Sequence, residues 1–548
     1  MKPTILLIFI FTFYLYPAQS QNIFIPEKIE NPIQKKYSGK IIFLDKFISL
    51  DNLKEDNILS SSTFQEDKDF GIHAFFDNSL VNYLHKLSPK LTVDQLLKNG
   101  NYQFSFYVDG KLIYEENLNT GAGTPENKKL KTSLRIPLTS SNNEDSWGRY
   151  LWMRFYLIHG GIDALASGNH ILKIEIRPYL KTSSIQTGPI IAEGDININV
   201  PEKNISEQQI AVQPIQPNSG WDTSKEKFDI EIIKNLNKKI AEERFKNLTS
   251  IVVIKNGKLL IEEYFNHSGR DSLQDTRSVG KSFSSALMGI AIKENHIKSE
   301  NQNLKAFYNV EQFKNYSPKK DSVTIKSLLT MSSGFDGNDE DNESPGNEEN
   351  MYPTENWVKF ALDVPMTGNT IGKKWNYFTA GVVITGDILD KTVPKGLENY
   401  ADKKLFQPLG ITNYKWQFTP QNKPSLAGGL RMKALDFAKF GQLYKNNGVW
   451  NGKMVLDKTW IKKSFTNYFV DQPDFEGYGY LFWRKVYKVG NQNFEAYQCS
   501  GNGGNKIIIF THIPVVMVIT ATAYNKPYAH SQADKMIQEY LLPALNYK

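Results

Sequence analysis

Thr276-Arg-Ser-Val-Gly-Lys-Ser-Phe-Ser-Ser-Ala-Leu-Met-Gly-Ile-Ala291 places a hydroxyl, Ser278, and an amine, Lys281, three residues apart at the head of a long apolar run. On a helix that spacing puts both groups on one face. Val279, Phe283, Ala286, Leu287 and Ile290 supply an apolar stripe that would bury the other side. Serine is a weak nucleophile until a base takes its proton, and a lysine in a partly desolvated pocket can serve as that base or assist it, with no histidine required. The same pair recurs at Ser224/Lys227 and Ser317/Lys320, but neither of those opens a long apolar helix. Context, not spacing alone, sets Ser278 apart.

The context begins with size and compartment. A chain of 548 residues is too long for one core and implies two or three domains. Its net charge of +7 is small for that length and spread along the chain, so it gives no footprint for nucleic acid. Residues 1–20 carry Lys2, an apolar run from Ile5 to Tyr16, and Ala18-Gln19-Ser20. That pattern predicts a signal peptide and an exported, periplasmic or secreted product. No later stretch reaches the length of a spanning helix, so a soluble protein is expected. Cys499 is the single cysteine, which excludes an intrachain disulfide and leaves stability to packing.

Residues 21–200 read as β-rich. Tyr102, Phe104, Phe106 and Val108 alternate with polar neighbours, Asp109-Gly110 offers a hairpin turn, and Lys111-Leu-Ile-Tyr-Glu resumes beyond it. Ile174 and Ile176, then Ile196, Ile198 and Val200, repeat the period of two. Together they predict an all-β, sandwich-like domain. Its aromatics Trp147, Tyr150 and Trp152 are candidates for a sugar platform, and so for a glycan or envelope contact, although core and strand-edge aromatics are the simpler reading. Residues 201–220 turn polar and proline-bearing and are expected to link this domain to residues 221–548. There an amphipathic helix near Ile230–Phe245 precedes a hairpin turning at Asn256-Gly257, and the chain ends in two strands, Asn505–Phe510 and Val515–Thr522, with a helix near Gln532–Leu545. Strands at both ends with helices between imply an α+β sheet closed by joining the termini.

From about residue 220 onward the sequence resembles the serine hydrolases of the class C β-lactamase superfamily, among them penicillin-binding carboxypeptidases, family VIII esterases and 6-aminohexanoate-dimer hydrolases. The resemblance rests on Ser278-Val-Gly-Lys281, Thr324-Ile-Lys-Ser-Leu-Leu-Thr-Met-Ser-Ser-Gly334, Leu405-Phe-Gln-Pro-Leu-Gly410 with Trp416, and Ala427-Gly-Gly-Leu-Arg-Met432 followed by Asp436-Phe-Ala-Lys-Phe-Gly441. It implies a β-lactamase/transpeptidase-like fold, an antiparallel sheet flanked by helices. It also implies that Tyr377, in Trp375-Asn-Tyr377-Phe-Thr379, is the second catalytic group, with Lys281 drawing its phenol down from the ordinary value of about 10. Thr379 departs from the asparagine of the family's YxN motif. The third element falls at Tyr497-Gln-Cys499-Ser500-Gly501-Asn502, where the resemblance implies an oxyanion hole from the N–H groups of Ser278 and of Asn502 or a neighbour of it, with Ser500 and Gly501 against the substrate. No Lys or His stands at Cys499 or Ser500, which argues against an anionic β-lactam or D-alanine terminus. Cys499, on an apolar strand, reads as packing rather than as a nucleophile.

These features predict an exported serine hydrolase acting on a small-molecule or peptide-like amide or ester. The alternative is a non-catalytic envelope or glycan-binding protein on a degenerate hydrolase scaffold. No cofactor is expected. No cysteine pair or HExxH spacing announces zinc, and the acidic run Asp336–Glu349 reads as a solvated loop beside the site rather than a calcium loop.

Overall fold

The computed structural model describes residues 22–66, 68–141, 147–368, 370–472 and 475–547; the expected signal peptide, 1–20, lies outside them. The chain divides into two compact units, Met1–Asn204 and Ile205–Lys548.

The first unit is β-rich. A three-stranded sheet (Ile41–Leu44, Phe70–Phe75, Ser133–Thr139) and a larger one centred on Gly100–Val108, Gly168–Lys181 and Ala192–Val200 share one core, with Ile72, Ile136, Phe104, Phe106, Ile174 and Ile196 all buried. Asp109 and Gly110 both take positive φ (50° and 80°), which matches the twist of the strands they join. Helices Leu80–Leu87, Val93–Asn99 and Trp147–Met153 add to the strands. Trp152 is a core residue packed among Phe64, Phe70, Phe106 and Tyr156, and Trp147 leans on Phe104, so Tyr150 alone of the three platform candidates is exposed.

The second unit is built on an eight-stranded antiparallel sheet in the order Lys258–Tyr264, Leu248–Lys255, Val515–Ala521, Asn505–Phe510, Gln492–Gly501, Trp483–Val489, Phe475–Tyr478, Phe469–Gln472. Its first hairpin turns at Asn256 and Gly257, both at positive φ, and the C-terminal strand then pairs with Leu248–Lys255, joining the two ends of the unit. Both faces are covered, which is why Ile507-Ile-Ile-Phe510 is apolar without a break. Ile507 and Ile509 face the helices Gly280–Lys293, Thr379–Thr392 and Ala434–Lys445, while Ile508 and Phe510 face Ile230–Ala241 and the C-terminal helix that begins at Ala529. Part of the segment expected to link the domains docks on this unit. Gln213 N–H donates to Glu263 Oε1 (2.8 Å), and its side chain donates to the Tyr264 carbonyl (2.8 Å) and accepts from the Tyr264 N–H (3.1 Å), so it covers the sheet's edge strand.

Candidate active site

Ser278 sits in a tight 3-10 turn, Arg277–Val279, that runs directly into the helix Gly280–Lys293. Asp275 Oδ1 accepts the Arg277 N–H (3.0 Å), and Arg277 is held at φ 46° immediately before the serine. The helix is buried along nearly its whole length, and Lys281 is only 2% exposed. With its stem packed away, Lys281 Nζ has two near oxygens: it donates to Ser278 Oγ (2.7 Å) and to the Ala427 carbonyl (2.7 Å). The carbonyl fixes the amine's position and leaves the serine as its reactive neighbour.

Tyr377 faces the pair from the other side, its ring centroid 5.2 Å from Lys281 Nζ. It stacks on Trp483 (5.7 Å) and lies against Trp375 (6.1 Å). Its backbone is held on both sides, since Asn376 N–H donates to the Met331 carbonyl (2.9 Å) and Asp339 N–H donates to the Tyr377 carbonyl (2.9 Å). Burial pushes the phenol above its ordinary value; Lys281 and a hydrogen bond with Ser278 pull the other way, and the Asp339 and Glu348 carboxylates add to the rise. The expectation that Lys281 lowers this phenol is therefore right for that one pair and reversed for the net. Desolvation of the charged form outweighs the neighbouring cation.

The strand Gln492–Gly501 closes the third side. A Cβ on Gly501 would lie 2.6 Å from the Thr276 carbonyl oxygen and 3.2 Å from Ser278 N, so only glycine lets the strand come this close to the serine turn. Beyond it Asn502 is pinned, with Nδ2 donating to Asn525 Oδ1 (2.6 Å), Oδ1 accepting the Asn525 N–H (2.9 Å) and its carbonyl accepting from Asn505 Nδ2 (2.9 Å). Ser278 opens on two adjoining lobes. One, about 470 Å³, is lined by Tyr377, Asp339, Trp483, Ser500, Gly501 and Lys506 among others. The second, about 440 Å³, is lined by Thr379, Tyr352, Trp357, Phe418 and Tyr524 among others, and both reach Glu348 and Asn502.

Serine, lysine and tyrosine thus meet around one cleft at the end of an interior strand of the antiparallel sheet, and the β-lactamase family model matches residues 241–540, more than half of the chain. The chain belongs to the β-lactamase family of serine hydrolases. Among solved structures it is similar to a protein described as a 6-aminohexanoate-dimer hydrolase from Bacillus anthracis (19% identity, 56% of this chain and 81% of that one, TM-score 0.47). It is also similar to an octameric penicillin-binding protein homologue from Pyrococcus abyssi (20%, 56% and 76%, 0.45) and to a family VIII carboxylesterase (13%, 59% and 98%, 0.44). No curated protein matches the chain.

Against the β-lactamase pattern, the structure brings Ser278, Lys281, Tyr377, Ser500, Gly501 and Asn502 to the cleft. Thr379 is 2% exposed at the start of the helix Thr379–Thr392, where its N–H donates to Asp339 Oδ2 (2.7 Å). Cys499 is buried in the core, and burial pushes its thiol up to about 12, which removes it as a nucleophile. Several functional groups escaped sequence reasoning. Asp339 and Glu348 come from the acidic run read as solvated, Ala427 contributes a carbonyl, and Lys506 reaches the cleft from the strand beside Ser500. Lys506, itself 2% exposed, is ion-paired to Asp534, while Lys485 pairs with Glu476 (3.5 Å) and Arg484 with Glu495 (2.8 Å). His530 approaches Ser500 Oγ (3.5 Å), and burial, reinforced by Lys506 and opposed by Asp534, holds its imidazole down at about 4. A lone lysine inside the apolar run after Asn505 was the visible signal for this cluster. Among the described residues no group of His, Cys, Asp and Glu is placed to hold a metal, and no helix is long and apolar enough to cross a membrane.

Proposed function

We propose that the protein hydrolyses an amide or ester through a covalent acyl-enzyme on Ser278. The observation that carries this is the 2.7 Å contact between Lys281 Nζ and Ser278 Oγ beside the half-buried Tyr377. In this reading Lys281 enters the step as the neutral amine, and Ser278 Oγ attacks the carbonyl carbon as its proton passes to the Lys281 lone pair, reversing the 2.7 Å hydrogen bond between them. The oxyanion forms against the N–H groups of Ser278 and Asn502. The bond to the alcohol or amine then breaks, and the leaving group takes a proton from Tyr377, whose raised phenol rests as a neutral donor. Lys281 returns its proton to the tyrosine. Water attacks the acyl carbon, gives up a proton to the same Lys281–Tyr377 pair, and Ser278 leaves reprotonated as the acid departs. The two groups share protons, so the pair rather than either residue is the base.

The two lobes leave room for substrate on both sides of the scissile bond, and export is part of this reading on the pattern of residues 2–20 alone. The intact Ser278, Lys281 and Tyr377 count against a non-catalytic scaffold. A fluorophosphonate probe should label the full-length protein and fail on Ser278→Ala. Lys281→Ala and Tyr377→Phe should each lower turnover of a p-nitrophenyl acyl ester by about 10² to 10⁴. A Ser278→Ala protein that keeps wild-type turnover would sink the assignment.

A further inference from the structure

Asp339 makes three backbone contacts around the tyrosine. Its Oδ2 accepts the N–H of Thr379 (2.7 Å), its Oδ1 accepts the N–H of Glu348 (2.9 Å), and its own N–H donates to the carbonyl of Tyr377 (2.9 Å). The first contact satisfies one of the donors left open where the helix Thr379–Thr392 begins, a place where negative charge is favoured. Phe378, at the N-cap, offers no side-chain acceptor and is buried in the core, so the cap comes from 40 residues earlier in the chain.

The loop that carries Asp339 is built to lie there. A Cβ on Gly337 would be 2.2 Å from the Phe378 ring, and one on Gly346 would be 2.7 Å from the Gly337 Cα, so both glycines permit the loop to press flat on Phe378. Asn347 Nδ2 then bonds the carbonyls of Asp339 (3.1 Å) and Asp341 (3.1 Å), and Asn338 N–H donates to Ser344 Oγ (2.9 Å). The segment is a strap hydrogen-bonded within itself, solvated along Glu340, Asp341, Glu343 and Glu349 as its composition suggests, with Asp339 half-buried on its inner side. It brings a carboxylate to the lobe that Ser278 and Tyr377 line, next to the helix start where Thr379 has replaced the family's amide.

We propose that Asp339 is a positioning residue for the reaction, setting Tyr377 relative to Ser278 and Lys281 through the Tyr377 carbonyl and the Thr379 N–H, in a chain whose Thr379 lacks the amide of YxN. The inference rests on Tyr377 being the acid and base of the proposed mechanism. The test is a double-mutant cycle in the full-length protein, with kcat and KM on a p-nitrophenyl acyl ester, fluorophosphonate labelling rate and thermal unfolding measured for Asp339→Ala, Asp339→Asn, Tyr377→Phe and the Asp339→Ala/Tyr377→Phe pair.

Asp339→Ala should lower kcat about a hundredfold, the cost of a misplacement near 1 Å, with KM little changed. Asp339→Asn, which keeps one acceptor but loses the second and the charge, should fall between it and wild type. The double variant should be no slower than Tyr377→Phe alone, since the strap acts through the tyrosine. Losses that multiply in the double variant, or wild-type kcat in both Asp339 variants, would overturn the proposal. If Asp339→Ala fails to fold, Asp339→Asn carries the same cycle with the same outcomes. Full turnover in Tyr377→Phe is a different failure: it removes the assigned role of the tyrosine and the inference with it.

Discussion

Gly501→Ala puts the proposed oxyanion site, the N–H groups of Ser278 and Asn502, under direct test. The added Cβ would lie 2.6 Å from the Thr276 carbonyl oxygen, 3.1 Å from Val279 N and 3.2 Å from Ser278 N. Ordinary contact starts at 3.4 Å, so the strand and the serine turn must part by about 0.8 Å at the tightest point. All three neighbours are backbone atoms, and no side chain can swing aside to absorb the strain. Gly501 ends a strand with unexceptional φ, so alanine meets no conformational penalty of its own. Overpacking of this kind costs about 1 to 3 kcal/mol, which lowers Tm without unfolding a domain of this size. The catalytic cost should be larger, because the parting moves the Asn502 N–H away from the Ser278 N–H. A misplacement near 1 Å or the loss of one oxyanion donor each costs about 10² or more in rate. The measurement is kcat on a p-nitrophenyl ester beside a thermal melt, with the labelling rate as a check on acylation. A folded Gly501→Ala protein with wild-type kcat would show that the oxyanion is stabilised elsewhere and refute this geometry.

Three further outcomes are expected. A truncated chain starting at Ser206, whose hydroxyl caps the short helix Glu207–Ile210, should fold and cleave small soluble esters, because Gln213 and the edge-strand contacts stay with it; insolubility, or folding without activity, would place the first unit inside the catalytic machinery. Short-chain esters should exceed a chromogenic cephalosporin in kcat/KM by about ten- to a hundredfold, the worth of a missing charge-assisted hydrogen bond, and a preference for the cephalosporin would show that Lys506 abandons Asp534 for the substrate carboxylate. Burial lifts the Glu263 carboxyl to about 7 where it accepts from Gln213 and Asn237. A folded pKa above the unfolded one means that the fold holds the proton more tightly, so this stability is full below about pH 4.3 and is lost as pH rises through 7, roughly 4 kcal/mol in all. Glu263→Gln should flatten that dependence and stabilise the protein above pH 7 in urea titrations; parallel curves for the two proteins would refute the linkage.

What the sequence made legible was local. Ser278 and Lys281 share a helix face because they are three residues apart, and the turn at Asn256-Gly257 follows from residues that tolerate positive φ. Tyr377 and the Gly501 strand were legible only through the family resemblance, as the residues that stand where its second and third motifs fall. The helices of the first unit were hidden, since Leu80–Leu87 and Trp147–Met153 are brief and their apolar residues also fit a strand-rich core. Asp339 was hidden for a different reason: an acidic run has the composition of a solvated loop, and only Gly337 and Gly346, pressed on Phe378, show that it is laid against the site.

The third motif shows how far a residue-by-residue comparison reaches. At Cys499 and Ser500 the sequence lacks the family's cation, and the side chain at 499 is indeed buried in the core. Yet strand pairing sets Lys506 directly across from Ser500, so a lysine enters the cleft from the neighbouring strand, a placement that depends on register and that the lone lysine beside the apolar run marks without locating. Asp534, from the C-terminal helix, then neutralises it, and the buried His530 beside it stays uncharged at neutral pH. The cations that line this lobe, Lys506, Arg484 and Lys485, are thus each matched by a carboxylate, Asp534, Glu495 and Glu476. The expected preference for esters over anionic β-lactams would then depend on the Lys506–Asp534 pair, and Asp534→Asn, by freeing Lys506 without altering Cys499 or Ser500, is the change that should raise cephalosporin turnover relative to ester turnover.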